Sequence, residues 1–239
     1  MKKFCFSLLF IFSVTAFINA QQTINDPNAV KVEVGSFHAI DVATGIQLFL
    51  VAGTTEEVAI SASTTEFRDH IVAKVENGVL KLYYDSKLKA INKKKENKQL
   101  KAYVSCRQLN GLYASTGALV KIQGVFKMAE LEMKVNTGAQ VNGELETKLL
   151  TVKQSTGSQV NLTGKTDNLE VEGDTGSKFK GDELTAQTCN VSVSTGANVS
   201  VDTEKEMTVK ANTGGLVKYK GNASIREIKT STGGAVKRI

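Results

Sequence analysis

The residues able to do chemistry are few, and their spacing argues against a reaction centre. His38 and His70 are the only histidines, and neither has a Cys or a carboxylate at ligand spacing, so both read as histidines without a metal or catalytic role. Asp167, Asp174, Asp182 and Asp202 fall at different places in the repeat described below. They would not converge on one groove, whereas β-helical enzymes such as the pectin-degrading ones line a groove with carboxylates, a base and aromatic sugar platforms. Serines stand beside Thr-Gly pairs or in alternating segments, and none sits in a nucleophile elbow. The Gly- and Asp-rich nonapeptides of calcium-binding β-rolls are missing. The residues therefore assign no catalytic site, no metal site and no cofactor, and the chain reads as a non-enzymatic protein.

What does recur is a Thr-Gly pair, at Thr116-Gly117, Thr137-Gly138, Thr156-Gly157, Thr175-Gly176, Thr195-Gly196, Thr213-Gly214 and Thr232-Gly233. The glycines follow one another at 21, 19, 19, 20, 18 and 19 residues, a period that marks a solenoid. Three residues after each glycine stands an apolar residue: Val120, Val141, Val160, Phe179, Val199, Val217 and Val236. Five residues before each stands another: Leu112, Met133, Val152, Val171, Val191, Val209 and Ile228. One such column of seven would arise by chance at roughly the 0.2% level, so both are expected to face the interior.

Between the columns the pattern alternates with period two, as in Leu169-Glu170-Val171 and Leu150-Thr151-Val152, which indicates half-buried strand and not helix. The fold class expected is all-β, a solenoid of parallel coils of about 19 residues. Each Thr-Gly pair is expected at a corner, where Gly accepts positive φ and the Thr hydroxyl bonds along the ladder. The position four after each glycine faces outward by the same alternation and reads Lys121, Asn142, Asn161, Lys180, Ser200, Lys218 and Lys237. Two residues earlier stand Gln140, Gln159, Lys178 and Asn198. Stacking would align them into a basic, polar stripe free of carboxylates, a candidate site for an anionic glycan or lipopolysaccharide as well as an ordinary solvated strand face.

The ends and the composition set the context. Lys2 and Lys3, the apolar run Phe4 to Ile18, then Asn19 and Ala20 form a signal-peptide pattern with cleavage expected after Ala20. Removing both lysines lowers the formal charge of the 239-residue chain from +6 to +4. Residues 21–29 read as a linker, and no later run is long and apolar enough for a membrane-spanning helix. The protein is therefore expected outside the cytoplasm, in the periplasm, at the cell surface or secreted. Mixed Lys and Glu on outward positions, together with export, argue against a nucleic-acid partner. The sole Pro is Pro27, which suits uninterrupted ladders. Cys106 and Cys189 share the phase of core residues and fall four coils apart, about 19 Å at ~4.8 Å per rung, so two free, buried thiols are expected.

Residues 30–108 read as degenerate coils with a turn at Asn77-Gly78, continuous with the regular array at 109–239. Thr44-Gly45 has Ile40 and Leu48 at the column positions, and Thr64-Thr65 follows at a spacing of 20 with Ile60. A lysine-rich loop at 87–101, with Lys87, Lys89, Lys93, Lys94, Lys95, Lys98 and Lys101, interrupts them and reads as a solvated loop.

Gly35-Ser36-Phe37-His38-Ala39-Ile40-Asp41-Val42, the Ile46 to Leu50 segment and the serial Ser-Thr-Gly corners together resemble the head GIN domain family. That resemblance implies a right-handed parallel β-helix and an exported Gram-negative protein labelled an autotransporter adhesin. It implies no catalytic residues. Three functions follow as competing expectations: an envelope binding module, a structural or envelope-stress scaffold without a small ligand, and, third, a carbohydrate-active enzyme. The oligomeric state is not legible.

Overall fold

A computed structural model describes residues 26–86 and 97–239. The signal peptide at 1–20, residues 21–25 of the linker and the Lys87, Lys89, Lys93, Lys94, Lys95 and Glu96 part of the loop lie outside the described residues.

The strands in chain order are β1 (Val30–Val32), β2 (Ala39–Val42), β3 (Gln47–Ala52), β4 (Glu57–Ser61), β5 (Ile71–Glu76), β6 (Val79–Tyr84), β7 (Lys101–Cys106) and β8 (Gly111–Ala114). They continue with β9 (Leu119–Val135), β10 (Gln140–Gln154), β11 (Gln159–Gly173), β12 (Lys178–Val193), β13 (Asn198–Ala211), β14 (Leu216–Lys220), β15 (Ser224–Thr230) and β16 (Ala235–Arg238). One short helix, α1 (Thr65–Asp69), joins β4 to β5. The molecule is a β-solenoid of about seven turns with coils of about 19 residues, as the spacing requires.

From β9 to β13 each strand pairs in parallel with the next, and the register repeats the sequence period: Val152 faces Val171, Val171 faces Val191 and Val191 faces Val209. Parallel stacking satisfies the backbone donors of each coil on the next and turns the two apolar columns into one continuous core. Leu112, Met133, Val152, Val171, Val191 and Val209 are buried, as are Val120, Val141, Val160, Phe179, Val199 and Val217. The last coil departs from the expectation. Ile228 is 42% exposed and Val236 only half-buried, because no further rung among the described residues stacks on β15 and β16.

The corners are turns in which both central residues have positive φ, Thr at 45° to 54° and Gly at 69° to 78°. Ala118 N–H donates to Ser115 O at 3.1 Å across such a turn, and Gly117 N–H donates to Thr137 O of the next coil at 3.0 Å. This is the primed geometry that follows strand twist, so Thr as well as Gly takes the left-handed conformation. The Thr hydroxyls bond to an adjoining rung at some corners and not at others: Thr44 Oγ1 accepts from Tyr84 N–H of the neighbouring rung at 2.6 Å. Equivalent atoms one rung apart are separated by ~4.8 Å, beyond hydrogen-bond reach, and Thr137 instead donates to Asn136 Oδ1 in its own turn at 3.1 Å.

The first 80 residues of the described chain are stacked out of chain order. β2, the Thr44-Gly45 corner and β3 form a rung on the regular array, with β8 and β9 on one side and β6 and β7 on the other. Outside that, β4 lies antiparallel on β7, β1 antiparallel on β4, and β5 antiparallel on β6 through the Asn77-Gly78 turn. Thr64 is not a corner. Lacking a following Gly, it caps α1, its Oγ1 accepting from Phe67 N–H at 3.2 Å.

Candidate functional site

Ladder register brings the outward polar positions together. Lys121 pairs with Asn142, Asn142 with Asn161, Asn161 with Lys180, Lys180 with Ser200, Ser200 with Lys218 and Lys218 with Lys237. Beside this column runs a second, Gln140, Gln159, Lys178 and Asn198, each opposite the next. Lys121, Gln140, Gln159, Lys178 and Lys180 are exposed, whereas Asn142, Asn161, Asn198 and Lys218 are half-buried by their column neighbours. Asn161 Nδ2 donates to Asn142 Oδ1 at 2.6 Å, so these amides hold one another along the axis.

The lysines of the stripe lack the carboxylate partners that many other described lysines have, as Lys148, Lys205 and Lys210 also do. Lys127, Lys134, Lys153 and Lys220 each lie within 4.0 Å of a carboxylate, whereas Lys121, Lys178, Lys180 and Lys218 have none at that distance among the described residues. Four ammonium groups on one face are left without internal counter-charges. Lys101, on the solvated-loop side of the sequence reading, is instead held by Asp26 at 3.1 Å. Lys98 lies over the Tyr84 ring, 4.0 Å from its centroid.

Sequence reasoning missed how the first column begins. Register extends it from Lys121 to Phe49 and Tyr103, whose rings stack at 5.1 Å and 11°, with Lys121 Nζ 5.7 Å from the Phe49 centroid. Both faces of the Phe49 ring are thereby occupied, one by Tyr103 and one by Lys121, so that ring is not a free platform. The signal was present in the period-two alternation of β3 and β7, but the out-of-order stacking hid that these two strands are neighbours. Tyr103 Oη also donates to Asp26 Oδ2 at 2.8 Å.

The remaining candidates sit apart. Asp174 is at a corner, its Oδ1 accepting from Thr175 N–H at 2.7 Å and Ser194 Oγ at 2.8 Å. Asp202 lies 3.9 Å from Lys220, and Asp182 stands where the β11–β12 register shifts. His38 Nδ1 contacts Gly78 O at 3.1 Å, and buried His70 contacts Asp85 O at 2.8 Å and stacks on Tyr84. Cys106 and Cys189 are free and buried, and desolvation pushes both thiols up to about 12. A groove of about 450 Å³ follows the corners on the side away from the stripe, lined in part by Asn136, Lys153, Ser155, Glu172, Asp174 and Ser194.

Among the described residues no helix is long and apolar enough to cross a membrane. No curated protein matches the chain. Its fold is similar to that of a protein described as a "putative adhesin" from Bacteroides fragilis, with TM-score 0.80 and 19% identity over 88% of this chain and 96% of that one. It is also similar to a "putative lipid binding protein" from Parabacteroides distasonis, with TM-score 0.66 and 16% identity over 90% and 98%. A third similar structure is a "putative adhesin" from Parabacteroides merdae, with TM-score 0.68 and 14% identity over 88% and 95%. Identities this low carry the fold alone. Residues 36–223 match the family described as "Putative auto-transporter adhesin, head GIN domain", and the chain belongs to that family.

Proposed function

We propose that this chain is an exported, non-enzymatic, adhesin-like binding module of the cell envelope whose stripe recognises an anionic glycan or lipopolysaccharide. The observation that carries the reading is the set of four stripe lysines without a carboxylate partner on a surface where lysines are otherwise commonly paired. Unneutralised ammonium groups two to three rungs apart on one face attract a polyanion along their length, and the interleaved Gln and Asn side chains supply donors and acceptors for hydroxyls. Export rests on the signal-peptide pattern at 1–20 and on the family's description.

The alternative is a structural or envelope-stress scaffold with no small ligand, for which the stripe is only a soluble strand face. A glycan array probed with the chain from Gln21 onward separates the two. The proposal expects retention on sulfated, uronate-bearing or lipopolysaccharide spots that falls as salt rises, because exposed charges are screened over about 8 Å at physiological ionic strength. No retention on any anionic spot at low salt would leave the scaffold reading.

A further inference from the structure

The end of the solenoid formed by β15 and β16 combines two properties that the coils beneath it do not share. Ile225, Ile228 and Ile239 are 41%, 42% and 61% exposed, and they are three of the four large apolar side chains left exposed among the described residues. Ile225 and Ile228 stand opposite Met207 and Val209, which are buried, so they continue the inward columns. With no further described strand stacked on it, the last coil presents the cross-section of the core.

The second property is charge. Residues 216–239 hold Lys218, Lys220, Arg226, Lys229, Lys237 and Arg238 against one acid, Glu227, so six cations less one anion leave +5. The whole chain from Gln21 onward carries only +4, so residues 21–215 sum to −1 and the positive excess is collected at this end. Part of it is neutralised close by. Lys229 lies 2.6 Å from Glu227, and Asp202 and Glu206 of the coil beneath reach Lys220 and Arg226. Lys218, Lys237 and Arg238 have no carboxylate within 4.0 Å among the described residues, and Arg238 donates instead to the Gly221 carbonyl at 3.0 Å.

A second copy of the chain is a poor match for this end. The β13–β15 register shifts between Met207 and Thr208 and leaves Arg226 as an extra residue, and a bulge flanked by cations is a device that blocks strand addition. Two copies meeting here would also bring like charge against like charge. A soluble polyanion would match the charge but leave the isoleucines in water. A bilayer with acidic headgroups answers both properties, because apolar side chains enter the headgroup boundary while Lys and Arg meet the phosphates. We propose that the β15–β16 end docks on an anionic lipid surface, with Ile225, Ile228 and Ile239 at the headgroup boundary and Lys218, Lys237 and Arg238 on the phosphates. The solenoid axis then stands out from the membrane and carries the stripe away from it. This docking does not depend on what the stripe binds.

Co-sedimentation of the chain from Gln21 onward with vesicles tests the docking, using phosphatidylcholine alone and phosphatidylcholine mixed equally with phosphatidylglycerol. The wild type should partition onto the mixed vesicles about tenfold more strongly than onto the neutral ones, and high salt should remove the difference. Ile228→Ser with Ile239→Ser should lower partitioning onto mixed vesicles about tenfold, as should Lys237→Gln with Arg238→Gln. Lys178→Gln with Lys180→Gln removes the same charge three rungs from the end and should leave partitioning unchanged. Should the isoleucine pair lose its β-type circular dichroism, Ile239→Ser alone, at the most exposed of the three, gives the same comparison. No binding to mixed vesicles, wild-type binding by the end variants, or loss in the Lys178 and Lys180 variant would overturn the proposal. So would a concentration-dependent dimer in sedimentation velocity that Ile239→Ser abolishes, because a second copy would then cover the end. Glycan-array retention reads the stripe and vesicle binding reads the end, so the two proposals fail separately.

Discussion

Asp26 is the residue whose ionisation ties the start of the described chain to its cap. Its side chain is 8% exposed, and burial opposes its charge. Hydrogen bonds from Tyr103, Lys101 and the Asn28 N–H outweigh that cost and bring its pKa from 3.8 down to about 2. Burial, then the Asp26 hydrogen bond, pushes Tyr103 up to about 12. Because the folded value for Asp26 is depressed, its contribution is complete above pH 3.8 and is lost as pH falls through about 2. Asp26→Asn should therefore lower stability at pH 6 and flatten the acid limb of a stability-against-pH curve from urea melts. An identical limb in both proteins would show that the pair does not couple to folding.

Among the elements, the coil is specified by short-range rules. Gly164 shows this where the chain turns within β11: its φ is +109°, and an added Cβ would sit 2.1 Å from Leu145 O of the coil beneath. Gly164→Ala should cost at least about 2 kcal/mol, since it adds a backbone clash to a strained φ. Equilibrium unfolding measures it, and a loss below half that would mean the coil bends elsewhere. The regular array was legible because each of its elements repeats: a Thr-Gly corner, a buried column on either side, an outward polar column. The cap was not. Its antiparallel strands are short, β-branched apolar segments of coil-like length, so β4 and β5 look like further rungs. Nothing in the alternation says that β7 passes outside β3 and that β8 returns inside it. Thr64 carried a usable signal, the missing glycine, together with Glu66 in a first helical turn. The stripe was legible as far as Lys121, and it became hidden where out-of-order stacking places Phe49 and Tyr103 next in line.

For the whole molecule, stacking sets what can meet. Five ladder steps separate β7 from β12, through β3, β9, β10 and β11, one more than a count along the chain suggests, because β3 is inserted between β7 and β9. At ~4.8 Å per step Cys106 and Cys189 are on the order of 24 Å apart, beyond disulfide reach. Native protein beginning at Gln21 should react slowly with a thiol reagent and, once denatured without reductant, yield two equivalents per chain. A yield of zero from a monomer would contradict the stacking order.

The same stacking makes the stripe a single surface, and its role is the central claim. The measurement that tests it most directly is the affinity of wild type and of Lys180→Glu with Lys218→Glu for purified lipopolysaccharide and for alginate, titrated at low and high salt, with far-UV circular dichroism as the fold check. The account predicts unchanged β-type spectra, a loss of tenfold or more in affinity in the variant, and wild-type binding that weakens with salt. Equal, salt-insensitive binding by both proteins, or none by the wild type, would contradict it.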